Sequence, residues 1–246
     1  MADADLAFAL ELAELADSLS VPRFRALDLR VETKADLTPV TDADRAVERA
    51  LRERIAAERP ADTVLGEEEG DEGASSPARW ILDPIDGTRN FSRGIPVWAT
   101  LIALERDGDT VCAVVSAPPL HRRWWASRGA GAFVNGERIH VSGIASLDEA
   151  VLSATYASDL DVLEPRAWHA RGFGDFWQHV LVAEGAVDAA LDAELAIWDY
   201  TAPSLIVTEA GGRVTTLDGG VLEPYKRVVS SNGLVHDDVL ALLQGR

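Results

Sequence analysis

The sequence of 246 residues is poor in thiols, in lysines and in long apolar runs. Its single cysteine, Cys112, excludes a disulfide framework and any metal site built from several thiolates. The longest mainly apolar run, 95–104, has about half the length that a membrane-spanning helix needs. Residues 1–17 are acidic and lack the basic start of a secretory signal peptide. We therefore expect a cytoplasmic protein that does not enter a membrane.

Positive charge is also scarce. There are 23 basic residues against 41 acidic ones, which gives a formal net charge of −18 at pH 7. Binding to nucleic-acid backbones and to anionic membranes depends on lysine and arginine, so we expect neither partner. Most of the acidic surplus is expected to be solvated surface charge. A minority of the carboxylates, grouped in space, would instead hold cations.

The hydrophobic pattern changes along the chain. Helical spacing predicts helices within 3–19 and 38–60, and the second begins with the T-x-x-D pattern of a capping box. Strand-like runs separated by turn signals follow up to residue 127, which favours an antiparallel sheet. Helices and strands then alternate. We expect a single domain, 1–246, with an antiparallel α+β subdomain 1–142 and an α/β subdomain 143–246.

One segment brings two acids to the end of an apolar strand. Residues 80–88 read W-I-L-D-P-I-D-G-T, so that Asp83 and Asp86 follow the strand directly. Two carboxylates at the end of a buried strand need a compensating charge, which a divalent cation would supply. The carbonyl of Ile85 would be a further hard oxygen ligand, and Gly87 permits a close approach of the backbone. A simple D-P-x-D-G turn is the alternative.

Other acids lie at the ends of predicted elements. Glu67 and Glu68 follow a short strand, Asp199 begins a predicted helix, and Asp42 and Asp44 begin another. Taken singly, each aspartate at a helix start would be no more than a cap. Carboxylates that arrive from separate segments are, however, the usual way to build an oxygen-rich Mg²⁺ site. Together they predict such a site.

These motifs resemble those of the inositol monophosphatase family. The segments G-E-E at 66–68, 80–88, W-D-x-x-A-P at 198–203 and E-A-G-G at 209–212 occur in the family's order and spacing, as does T-x-V-T-D-A-D at 38–44. The resemblance covers nearly the whole chain. It implies a Mg²⁺-dependent, lithium-sensitive phosphatase that forms homodimers. The implied fold is a layered αβαβα sandwich of the α+β / α/β class, with an antiparallel sheet in the N-terminal half and a mixed sheet in the C-terminal half.

The resemblance also implies the metal ligands. Asp83 would bridge two magnesium ions; Glu67 and the Ile85 carbonyl would complete the first site, and Asp86 and Asp199 the second. A direct in-line displacement would follow, in which one ion activates the attacking water and another stabilises the leaving oxygen.

The resemblance also implies roles for residues around the bound phosphate. A third, weaker ion would lie near Glu67, with Asp42 or Asp44 assisting through water. Thr88 and Glu67 would orient and deprotonate the attacking water, and Asp42 would support Thr88. The N–H groups of Gly87 and Thr88 would hold phosphate oxygens.

Within the family, the chain most resembles actinobacterial members that hydrolyse histidinol phosphate. The segment F-G-D-F-W-Q-H at 173–179 stands where ordinary inositol monophosphatases tend to have a small G-S-A-type segment. Bulky aromatics with an acid suit a flat imidazole and an ammonium group. The candidate substrate-binding residues are Asp175, Trp177, Asp188, Glu194 and Lys34. Alternatively, the aromatics are core residues, and His179 either lines the pocket or is a structural hydrogen-bond donor.

The expected reaction is hydrolysis of L-histidinol phosphate to L-histidinol and phosphate, a step of histidine biosynthesis. The alternatives are an inositol-1-phosphate phosphatase or a broad-specificity phosphatase of the same family. A non-enzymatic, RNA-linked regulatory partner is a third possibility, which the net charge disfavours.

Overall fold

The computed structural model describes residues 2–35, 37–71 and 76–245. They fall into two units, Met1–Arg128 and Gly129–Arg246, which are named here the first and the second unit. Within the described ranges, no helix combines the length and the apolar character needed to cross a membrane.

The first unit is built on a sheet with the strand order β8-β7-β6-β5-β3-β4. Its strands are β1 (Val31–Thr33), β2 (Pro39–Thr41), β3 (Thr63–Gly66), β4 (Gly70–Asp71), β5 (Ala78–Asp86), β6 (Ala99–Arg106), β7 (Asp109–Ala117) and β8 (Arg122–Ser127). Its helices are α1 (Ala2–Ser20), α2 (Asp42–Glu58) and α3 (Thr88–Arg93). Strands β1 and β2 form a separate antiparallel hairpin.

The expected antiparallel sheet is present with one exception, because β3 and β5 are parallel. Strand β4 pairs with β3 on its other side and reverses the chain, so β5 returns in the direction of β3. Gly66 at the end of β3 lies opposite Leu82 of β5. The chain therefore leaves β3 beside the place where Asp83 follows Leu82, a proximity that a purely antiparallel sheet would not give.

Helices α1 and α2 pack their apolar stripes against the sheet of the first unit. Leu12 of α1, and Val47 and Leu51 of α2, lie with Trp80 of β5 in one buried cluster. Helix α2 begins with the predicted capping box, in which the Thr41 and Asp44 side chains accept from each other's backbone. The cap fixes the start of α2, where two of the candidate acids lie.

The second unit contains the predicted mixed sheet, in the order β12-β11-β13-β15-β14. Its strands are β9 (Gly131–Val134), β10 (Glu137–Ile139), β11 (Val151–Ala154), β12 (His169–Ala170), β13 (Ala189–Leu195), β14 (Arg213–Thr216) and β15 (Lys226–Ser231). Its helices are α4 (Ala157–Leu163), α5 (Asp175–Ala183), α6 (Ile197–Glu209) and α7 (His236–Gln244). β11 runs parallel to β12 and β13, whereas β15 runs antiparallel to β13 and β14.

The core of the second unit lies between this sheet and α7. Leu152, Leu191 and Val229 of the sheet share a buried cluster with Val239 of α7. Strands β9 and β10 form a hairpin whose turn is Asn135-Gly136, both with positive φ, as the Asn-Gly pair predicts.

Candidate active site

Strand β5 continues through the two acids instead of ending before them. Asp83 lies opposite Leu101 of β6 and Asp86 lies opposite Ala99. An advance of three residues along β5 therefore corresponds to only two residues along β6. Such an irregularity bends a strand and changes the direction of its side chains. The Ile85 N–H donates to Asp83 Oδ1 at 3.0 Å. Residues 83–86 thus form a bulge within β5, not the simple turn considered as the alternative, and its position depends on pairing with a strand further along the chain.

Thr88 connects the end of β5 with the start of α2. Gly87 has φ 82°, a left-handed conformation that suits glycine, and α3 begins at the next residue. Thr88 Oγ1 lies 2.9 Å from the carbonyl oxygen of Ile85 and 3.1 Å from Asp44 Oδ1. Its single hydroxyl proton is therefore shared between a backbone carbonyl and a carboxylate.

The carboxylate that supports Thr88 is Asp44, and the expectation that Asp42 does so is wrong. Asp44 is the third residue of α2, and the capping box turns its side chain back, where Oδ2 accepts the Thr41 N–H at 2.9 Å. Asp42, the first residue, pairs instead with Arg23 at 2.8 Å. Burial raises the pKa of Asp44 to about 6, although hydrogen bonds from Thr41 oppose the shift.

Glu67 lies next to the strand ends and carries a cationic partner. Its N–H donates to the carbonyl oxygen of Leu82 at 3.2 Å. Lys34 Nζ, from the β1–β2 hairpin, lies 2.6 Å from Glu67 Oε1 and 2.9 Å from Glu68 Oε1. Burial lowers the pKa of Lys34, but the two carboxylates outweigh burial and raise it overall. Burial also raises the pKa of Glu68 to about 7.

The donors that the first unit supplies suit a divalent cation. Glu67, Asp83 and Asp86, with the carbonyl of Ile85, are hard oxygen ligands of the kind that Mg²⁺ prefers. Asp83 is only 2 % exposed, and a carboxylate so deeply buried requires positive charge nearby. In the structure the Lys34 ammonium neutralises part of the negative charge at Glu67.

In the second unit, Asp199 is the third residue of α6 rather than its first. Its Oδ2 accepts the N–H of Ala196 at 2.7 Å, as the third residue of a capping box does. The helix thus begins two residues earlier than predicted, at Ile197.

The aromatic and acidic segment 173–179 has an unusual backbone conformation. Gly174 has φ 73° and Asp175 has φ 49°, so a non-glycine residue occupies the left-handed region at the first position of α5. Trp177 is half-buried, and its ring meets Phe173 edge-on with centroids 5.4 Å apart. Phe176 is 1 % exposed and belongs to the interior. Of the aromatics in α5, only Trp177 keeps a surface for a ligand.

His179 has a structural role. It is buried, with Nδ1 2.8 Å from Ser230 Oγ and Nε2 3.2 Å from Asp192 Oδ2. Burial of Asp192 raises its pKa, but the hydrogen bond and charge of His179, with the hydrogen bonds from Thr155 and the Ala193 N–H, outweigh burial and hold the pKa below its usual range. The Asp192 carboxylate also accepts the Thr155 hydroxyl. Asp192 was not singled out in the sequence because nothing local distinguishes it from the acids around it.

The same hydrogen-bond chain reaches the distinctive segment. Gln178 Nε2 donates to Thr155 Oγ1 at 3.1 Å, and Gln178 Oε1 accepts from Ser153 Oγ at 2.8 Å. Ser153 Oγ in turn accepts the N–H of Phe173 at 3.2 Å. We name the set from Phe173 to Ser230 the α5 network; its members are Phe173, Ser153, Gln178, Thr155, Asp192, His179 and Ser230.

The two remaining candidate acids of the second unit differ. Asp188 is buried; its Oδ2 accepts the Val151 N–H at 2.7 Å, and its Oδ1 accepts the Ser142 hydroxyl. These bonds tie Asp188, which directly precedes β13, to Ser142 and to the first residue of β11, so both of its carboxylate oxygens have a structural role. Glu194 is exposed and accepts the hydroxyl of Tyr156 at 3.1 Å.

Comparison with known proteins decides the family. A model of the inositol monophosphatase family matches residues 2–245. The chain belongs to this family. Histidinol-phosphatase of Mycobacterium tuberculosis is 50 % identical, over 99 % of this chain and 99 % of that protein. Histidinol-phosphatase of Streptomyces coelicolor is 44 % identical, over 98 % and 97 %.

A solved inositol monophosphatase is similar in structure as well. The IMPase of Thermotoga maritima has a TM-score of 0.91 and 34 % identity, covering 98 % of this chain and 97 % of that one. The predicted inositol monophosphatase fold is therefore confirmed, and with it the enzyme class, a phosphoric monoester hydrolase. Metal-dependent catalysis fits both this family and the oxygen donors described above.

Proposed function

We propose that the chain is a Mg²⁺-dependent phosphatase that hydrolyses L-histidinol phosphate to L-histidinol and phosphate. The observation that carries this proposal is its identity of 50 % and 44 %, over nearly the whole chain, to two proteins named histidinol-phosphatase. The aromatic and acidic segment before and within α5 supports the same substrate, because an imidazole and an ammonium group suit such surroundings. We further propose that it acts as a homodimer in the cytoplasm.

On the phosphate side, we propose that Glu67, Asp83, the Ile85 carbonyl, Asp86 and Asp199 hold two magnesium ions. Asp199 is included because it belongs to the W-D-x-x-A-P motif of the family. Asp44 is the candidate to assist a third ion. The bound ions would lower the pKa of the attacking water and stabilise the leaving oxygen.

The chain's own groups would orient the reactants. In the structure the Thr88 hydroxyl lies between Asp44 and the carbonyl of Ile85, an arrangement that would hold its oxygen as an acceptor toward water. Glu67 would take the proton of that water. The N–H groups of Gly87 and Thr88 would bind phosphate oxygens. None of these steps needs a covalent phosphoenzyme.

On the leaving-group side, Asp175 and Glu194 are the carboxylates proposed to meet the substrate's ammonium group. Trp177 would pack against the imidazole. Lys34, expected on the substrate side, pairs with Glu67 and Glu68 in the structure, and we propose that it neutralises these acids.

The test is phosphate release in the presence of Mg²⁺ across four esters: histidinol phosphate, inositol 1-phosphate, fructose 1,6-bisphosphate and adenosine 3′,5′-bisphosphate. We expect the highest kcat/KM for histidinol phosphate and loss of all activity with EDTA. A clear preference for inositol 1-phosphate would overturn the substrate and leave the metal chemistry in place. Absence of release from every ester would overturn both.

A further inference from the structure

A buried ion pair in α2 holds the turn that follows Glu67. Glu48 is fully buried, and its Oε2 accepts the Glu68 N–H at 2.8 Å. Its Oε1 accepts the Glu69 N–H at 2.9 Å and Arg52 Nε at 2.9 Å. One carboxylate thus binds two consecutive N–H groups next to a candidate metal ligand.

Arg52 holds the same turn from its two sides. It is 7 % exposed, and its guanidinium donates to the carbonyl oxygens of Val64 at 3.4 Å and Gly70 at 2.5 Å. Between these two contacts, a Cβ placed on Gly66 would lie 2.3 Å from Glu48 Oε1. The chain from β3 to β4 is therefore folded directly around the pair.

The pair has no evident use in stability alone. A buried ion pair is often matched or exceeded in stability by apolar residues of the same volume, because both charges lose their hydration. What apolar residues do not provide is a set of acceptors and donors that fixes four backbone groups of one short turn. Those groups lie at 64, 68, 69 and 70, on both sides of Glu67.

We propose that Glu48 and Arg52 are positioning residues that set the affinity of the enzyme for its metal by fixing Glu67. They touch neither substrate nor metal, and they act through the backbone of the turn. The proposal rests on the proposed function in one respect, namely that Glu67 is a metal ligand.

The first test is Glu48→Gln. The variant keeps the shape, but its amide NH₂ cannot accept, so one of the two N–H groups loses its partner. We expect the Mg²⁺ concentration for half-maximal activity to rise about tenfold, with kcat at saturating Mg²⁺ nearly unchanged. Without substrate, the Kd for Mn²⁺, followed by electron paramagnetic resonance, should rise by the same factor. Glu53→Gln, on the exposed side of the same helix, is the matched control and should change neither value.

A double variant, Glu48→Leu with Arg52→Met, separates positioning from folding. It removes both charges and preserves volume, so the fold should persist while the turn loses its anchors. We expect weakened Mn²⁺ binding in a protein whose thermal unfolding without metal is close to that of the parent. Parental Mn²⁺ affinity in either variant would overturn the proposal, and so would failure of both variants to fold.

The Mn²⁺ titration also keeps this proposal distinct from the proposed function. Parental protein that binds Mn²⁺ but does not hydrolyse histidinol phosphate would refute the substrate only. Parental protein that binds no Mn²⁺ would refute the assignment of Glu67 and, with it, the role of the pair.

Discussion

Two polar arrangements, one in each unit, are built from different kinds of groups. In the first unit, full charges lie around the turn at Glu67, in the buried pair Glu48–Arg52 and the half-buried pair Lys34–Glu67. In the second unit, the α5 network has one carboxylate, Asp192, among hydroxyl, amide and imidazole groups. The charged arrangement suits binding of a cation and a phosphate. The arrangement in the second unit fixes a backbone segment mainly through directed hydrogen bonds of uncharged groups, which suits recognition by shape.

The largest effect is expected from neutralising Asp83, one of the buried acids of the first unit. Asp83→Asn should reduce kcat by about a thousandfold or more, because a metal ligand is lost while the volume is unchanged. Steady-state kinetics measures the loss, and circular dichroism should report an intact fold. Asp161→Asn, at an exposed position of α4, is the control. Normal turnover by the Asp83 variant would remove the metal assignment.

The second unit should respond to pH through His236. This residue is fully buried between the hydroxyls of Thr215 and Ser231, and burial lowers its pKa to about 4. Between pH 6.5 and 4 the unfolded chain takes up a proton that the folded chain does not, so the free energy of unfolding should fall as the pH falls. The contribution is at most about 3 kcal/mol.

Urea unfolding of the parent and of His236→Gln across this pH range measures the effect. Glutamine can bond to both hydroxyls and does not titrate, so the variant should lose this part of the pH dependence. Identical slopes for the two proteins would show that His236 is not the responsible group.

The α5 network can be tested by removing its central amide. Gln178→Leu leaves the hydroxyls of Ser153 and Thr155 without this partner, so the free energy of unfolding should fall by about 1–3 kcal/mol. The KM for histidinol phosphate should rise, whereas the half-saturating Mg²⁺ concentration should stay at the parental value. A changed Mg²⁺ dependence would contradict the view that the first unit serves metal binding and the α5 network serves substrate recognition.

The smallest expected effect concerns recognition itself. Trp177→Ala should raise the KM for histidinol phosphate about fivefold and change that for inositol 1-phosphate less, because only the former offers a cationic and aromatic leaving group. Trp168→Ala, which removes a tryptophan that is 71 % exposed, is the matched control. Equal losses with both substrates would exclude Trp177 from substrate selection.

The sequence predicted most where the signal is local. Asp83, Asp86 and Glu67 stand out because acids follow apolar strand residues, and the T-x-x-D pattern correctly predicted the cap of α2. That same pattern could have favoured Asp44 over its neighbour Asp42, since the third residue of a capping box folds back toward the helix start.

Features that depend on distant pairing were not predictable. The bulge in β5 is defined by its register with β6, which lies 13 or more positions further along the chain. The role of Glu48 depends on contacts 20 and 21 positions away, at Glu68 and Glu69. Within its own helix, Glu48 is only one more acid in a charged sequence.

The crowding around Gly66 links two positions that are far apart in the chain. Any side chain at 66 would enter the space of the Glu48 carboxylate. Among relatives, a chain with alanine in place of Gly66 should therefore carry a shorter residue in place of Glu48, and the two positions should vary together. Gly66 of the G-E-E motif would then be required by the packing of Glu48 in α2, whereas Glu67 would be required by the chemistry of the site.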